Sequence, residues 1–71
     1  PNPTHKRLTI ASQRGLITAV QLYTLSGKEV WQEHTITAPQ YEFSVAHLPT
    51  GIYLLKVWLD DQVVIQRVVV H

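Results

Sequence analysis

No cysteine occurs among the 71 residues, so no disulfide and no cysteine-containing zinc site can brace this chain. A chain this short is one domain, and it buries only about 60% of the surface its unfolded form exposes. It must fold on packing alone or lean on a partner. Charge is scarce as well. Asp, Glu, Lys and Arg make up 15% of the residues and the net charge is +1, against about 25% charged residues in an average globular chain. Part of the surface is therefore neutral and apolar, which suits a module gripped by another protein. The same balance argues against nucleic acid as a partner and against an anionic membrane. No apolar run approaches the roughly 18 residues of a membrane helix, so direct membrane insertion is not expected. The opening Pro1-Asn2-Pro3-Thr4-His5-Lys6-Arg7 lacks the apolar core of a signal peptide. Because the chain starts on Pro1 rather than Met, we expect a piece of a longer protein whose export signal lies upstream.

Helical periodicity is missing too, and strand signals dominate. Leu8-Thr9-Ile10 alternates, and Ser12 to Gly15 reads as a turn. Ile17 to Tyr23 reads as a strand with Ala19, Gln21 and Tyr23 on one face and Val20 and Leu22 on the other. Leu25-Ser26-Gly27-Lys28 closes a tight hairpin in which Gly27 supplies a positive φ. A strand is predicted from Lys28 to Ile36, then a loop enforced by Pro39, then an alternating strand with Tyr41, Phe43 and Val45 on one face. The loop His47 to Gly51 leads to a strand from Ile52 to Leu59. A hairpin turn at Asp60-Asp61-Gln62 leads to the last strand, Val63 to Val70. This pattern predicts an all-β fold, a small immunoglobulin-like antiparallel β-sandwich of six strands, or seven if the N-terminal segment pairs. The last two strands are apolar on both faces, so periodicity does not say which face is core. An apolar terminal strand is expected at a sheet edge, where it can template another strand and offers a route to dimers. A central, well-covered last hairpin fits the same residues.

Clustered polar chemistry is the remaining absence. His5, His34, His47 and His71 have no metal-ligand spacing. Ser44, His47 and Asp60 or Asp61 could be named as a triad, but no nucleophile-elbow motif surrounds any Ser. Glu29 and Glu33, four apart on one predicted strand face, would be roughly 13 Å apart, too far for paired acid–base work; Glu42 stands alone. We therefore expect no catalytic residue, no metal and no cofactor. Trp31 shares the predicted face of Glu29 and Glu33 and is expected outside. If Trp58 is outside and adjacent, the two could form a platform for sugar rings; otherwise one or both cap the core.

What is present carries a resemblance. Pro1-Asn2-Pro3 opens the chain, Val20, Leu22 and Tyr23 form a Val-x-Leu-Tyr strand, and Gly27-Lys28 tips a hairpin. Leu48-Pro49-Thr50-Gly51-Ile52-Tyr53 follows, and Gln66-Arg67-Val68-Val69-Val70 closes the chain. In this order the features resemble the C-terminal sorting domain of type IX secretion cargo along the whole chain, from Pro1 to His71. Asn2, Pro3, Gly27 and Lys28 match its turn-forming positions. The family's final strand often ends in Lys, where this chain ends in His71. The resemblance implies a non-catalytic sorting signal, exported through the periplasm and recognised by the outer-membrane translocon. A sortase-like cysteine peptidase would then remove it as the cargo is attached to the cell surface, or the cargo would be released to the medium. The recognition residues it points to are Leu48, Pro49, Gly51, Ile52 and Tyr53, with Ile65, Arg67, Val68, Val69 and Val70. The strand count alone also accommodates an immunoglobulin-like spacer or a carbohydrate-binding sandwich appended to a secreted enzyme.

Overall fold

The computed structural model of the chain describes residues 7–13, 15–60 and 62–71, and all regular structure among them is β. Six strands follow one another: β1 Arg7–Ala11, β2 Ile17–Thr24, β3 Glu29–Glu33, β4 Gln40–Ser44, β5 Gly51–Leu59 and β6 Val63–Val70. β1 and β4 form a two-stranded sheet, and β3, β2, β5 and β6 form a four-stranded sheet in that order. Every strand pairing is antiparallel. The inner faces meet in one core, to which Phe43 and Val45 come from one side and Val20, Leu22, Tyr53, Leu55, Val57 and Val70 from the other. The expected sandwich is thus formed. Asn2, Pro3 and the seventh strand expected if the N-terminal segment pairs lie outside the described residues.

β2 is the strand the core can least lose. Ile17, Val20 and Leu22 are completely enclosed, and each such side chain contributes about 1.5–3 kcal/mol relative to exposure. Strict alternation would turn Ile17 to the face of Ala19, Gln21 and Tyr23. A bulge resolves this: Ile17 pairs with Leu59 but Ala19 pairs with Trp58, so Thr18 is extra. The extra residue rotates Ile17 back onto the core face. Ahead of it, Gly15 at φ 77° makes the turn, and the Leu16 N–H donates to the Asp60 carboxylate at 3.1 Å. At the far end the hairpin closes as expected. Gly27 has φ 97°, its N–H donates to the Thr24 carbonyl at 2.9 Å, and the Lys28 N–H donates to Thr24 Oγ1 at 3.1 Å.

β3 departs from its sequence pattern twice. It ends at Glu33 rather than Ile36. The chain then crosses between the sheets, which buries Ile36 and pairs Ala38 with Ile17. Within β3, Leu22 pairs with Trp31 and Tyr23 with Glu29, so Val30 is a second extra residue. This bulge turns Trp31 inward, and it puts Glu29 and Glu33 on opposite faces rather than on one. The expected exposed position of Trp31 is therefore wrong. Trp31 is half-buried and lies flat against Phe43, with centroids 4.2 Å apart and planes 4° apart; Tyr41 stacks beside both. Trp58 faces outward from β5, where its indole N–H donates to Gln21 Oε1 at 2.7 Å. The two tryptophans thus sit on opposite faces of the large sheet, and the sugar platform they would share does not form.

The stack closes one side of the sandwich by joining β3 to β4 across the two sheets. Trp31→Ala is expected to lower unfolding free energy by roughly 3 kcal/mol, and Trp58→Ala by about 1 kcal/mol at most, in urea titrations. Equal losses would show that the stack is not what holds the sheets together. Beside it, the Thr35 hydroxyl and N–H donate to the exposed Glu33 carboxylate at 2.7 and 3.4 Å and hold it below the ordinary glutamate range. Because the folded value is depressed, the native preference for ionised Glu33 is present above the ordinary range. It is lost as pH falls through the lowered value. An NMR pH titration should find Glu33 shifted downward, and Thr35→Val should return it upward.

Candidate recognition surface

The two segments singled out in the sequence come together. Gly51, Ile52 and Tyr53 of β5 pair with Val70, Val69 and Val68 of β6. The loop before β5 and the end of the chain therefore form one rim of the large sheet. Tyr53 organises it. Its ring is buried and its hydroxyl donates to the Pro49 carbonyl at 2.6 Å, while the Leu48 N–H donates to the Val45 carbonyl at 3.0 Å. Leu48 tucks its side chain against the core and leaves Pro49 and Thr50 outside. Pro49 is suited to this place because it offers a carbonyl and no N–H.

Gly51, read in the sequence as the end of a loop, belongs to β5. Its backbone is not left-handed, and it begins a regular strand. A Cβ placed there would meet only the Tyr53 ring, at 3.9 Å, an ordinary contact. The fold therefore does not require glycine at this position, whereas it does at Gly15 and Gly27.

The candidate residues divide by exposure. Tyr53 and Val70 are buried, Val70 at 2%, so they support the surface and cannot be touched on the folded domain. Val68 and Leu48 are half-buried. Pro49, Ile52, Ile65, Arg67 and Val69 are exposed, Ile65 at 61% and Val69 at 49%. β6 is the edge of its sheet, so the central, covered alternative for the last hairpin does not hold.

Several residues that face outward with them escaped the sequence pattern. Ile52 sits opposite Val69, Leu54 opposite Arg67, Lys56 opposite Ile65, and Trp58 opposite Val63. Lys56 Nζ lies 5.6 Å from the centroids of both the Tyr23 and Trp58 rings, within range of a cation–π contact. This outer face is thus largely apolar with two cations in it. Alternation on each strand was visible in the sequence; the register that builds a face from two strands was not.

The residues that could be named as a triad are not brought together among the described residues, which do not include Asp61. Asp60 follows one end of β5 and is bonded to the Leu16 N–H, whereas Ser44 and His47 precede its other end. Among the described residues Glu42 forms the one ion pair, with Arg7 at 3.9 Å on the exposed face of the small sheet. Among the described residues no group of three or more His, Cys, Asp or Glu is placed to hold a metal ion. Burial first, and the Glu33 carboxylate second, push the Tyr41 hydroxyl upward, a consequence of its place in the stack rather than of a reactive site.

Tyr53→Phe is expected to cost about 1 kcal/mol through the lost hydrogen bond. Gly51→Ala should stay within about 0.5 kcal/mol of the parent. Thermal or urea unfolding checks both; a large loss for Gly51→Ala would mean the fold does need that glycine.

The sequence model of a family described as the secretion system C-terminal sorting domain matches residues 1–71 of the chain. No curated protein gives a significant match.

Proposed function

The chain belongs to the secretion-system C-terminal sorting domain family, the sorting signal of type IX secretion, and we propose that the outer-membrane translocon reads the rim where β5 meets the end of β6. Domains of this family mark proteins for export to the cell surface or the medium. They are non-catalytic in general, and we assign no enzymatic role to this chain. The observation that carries the proposal is the pairing of Gly51, Ile52 and Tyr53 with Val70, Val69 and Val68. It joins two stretches the family resemblance points to into one exposed rim. In this reading Pro49, Ile52, Ile65, Arg67 and Val69 are touched, while Leu48, Gly51, Tyr53, Val68 and Val70 hold them in place. A sortase-like cysteine peptidase removes the domain afterwards, so the chain is a ligand first and a substrate second. The exposed edge also makes a dimer of isolated domains a geometry to test.

The test is export of a reporter with a signal peptide at its start and this chain at its end. The host is type IX-competent, and a translocon mutant serves for comparison. Surface or medium localisation in the first and periplasmic trapping in the second is the expected result. Val68→Pro, in a domain shown to remain folded, should abolish export. Trapping of the folded parent domain in both hosts would instead favour a passive spacer.

A further inference from the structure

The side of the sandwich opposite the aromatic stack is open, and two sheet edges face each other there. Among the described residues β1 pairs only with β4, and β6 pairs only with β5. Between them runs a groove with a cavity of about 330 Å³ bordered by Ile10, Ser12, Val57, Val64 and Gln66, and another of about 250 Å³ bordered by Leu8, Leu55 and Val68. Val64 and Gln66 share the face of the buried Val70, yet both are exposed, Val64 at 41%. The small sheet does not reach far enough to cover them.

The two edges of the large sheet are guarded unequally. β3 is five residues long, carries Glu29 and Glu33, and is bent by a bulge, which are common protections of an edge. β6 is eight residues long, pairs with β5 without a register break, has no proline or glycine, and carries a single charge, Arg67. Among the described residues Arg67 makes no ion pair. Its cross-strand neighbour is Leu54.

We propose that β6 accepts an added strand from a different protein, and that this strand carries a carboxylate opposite Arg67 between apolar residues opposite Ile65 and Val69. The proposal rests on the recognition reading above and specifies the partner's chemistry. An extended segment is the occupant that satisfies a free edge, because its backbone pairs with the unpaired N–H and C=O groups while its alternate side chains point to both faces. On one face they would cover the groove over Val64; on the other they would extend the row Val63, Ile65, Arg67 and Val69. Charge selects against two copies joined β6 to β6 with Arg67 opposite Arg67, and the short length and bulge of β3 select against the β3 of a second copy as the added strand. β6 contains no acid, so its own edge cannot answer Arg67, and a like pair directly opposite is unfavourable.

The test uses this chain and a soluble synthetic peptide, Thr-Val-Thr-Glu-Thr-Val-Thr, with the same peptide bearing Lys in place of Glu as comparison. NMR titration should move β6 and β1 amides and leave β3 in place. The Glu peptide should bind roughly fivefold more tightly than the Lys peptide, and Arg67→Glu should reverse that order. In the reporter assay, Arg67→Glu with an unchanged melting temperature should reduce export at least tenfold, and Arg67→Lys should largely preserve it. Equal binding of the two peptides, shifts at β3, or a concentration-dependent dimer through β6 would overturn the proposal. So would full export of Arg67→Glu. A parent reporter that fails to leave a competent host would defeat the translocon reading by itself, since the peptide selectivity is measured without a translocon.

Discussion

Trp31 lying flat on Phe43, with ring centroids 4.2 Å apart, decides how this sandwich is arranged. Two strands cannot cover four. Wherever the small sheet docks, part of the large sheet's inner face stays bare. The stack joins β3 to β4 and so draws the small sheet to that side, completing the core over β2. The deficit of cover then falls at the other side, on the first half of β6, where Val64 and Gln66 face inward and remain exposed. The closed side and the open side are two consequences of one contact.

The core owes nothing to charge. Among the described residues no polar or charged residue is buried, and their single ion pair is exposed at 3.9 Å, a kind worth about 0–1 kcal/mol. Stability therefore comes from apolar burial and ring stacking. Changes to Lys56 or Arg67 on the outer face leave that core untouched. The outer face can therefore vary without risk to the fold. Tyr53 links the two layers, with its ring in the core and its hydroxyl on the Pro49 carbonyl of the loop.

Glycine shows the same division. Gly27 is in the motif because the hairpin needs φ 97° there. Gly51 sits in the motif at a place where the backbone is ordinary and a Cβ would fit. One is explained by folding; the other is not.

Local patterns, read by themselves, determined a good deal. Alternation in Tyr41, Phe43 and Val45 identified their inner face, the Ser26-Gly27-Lys28 turn located its hairpin, and the ordered motifs pointed to the family. These features are legible because they depend on neighbours one to four residues away. Tertiary structure alone decided the bulges at Thr18 and Val30, which reverse side-chain direction and sent Trp31 inward against its apparent pattern. It also decided the register that sets Ile52 beside Val69, and the choice of β6 as an edge. A bulge exists only relative to a partner strand, and an edge only relative to a whole sheet. Strands distant in sequence settle both by competing for a core too small to cover every apolar face.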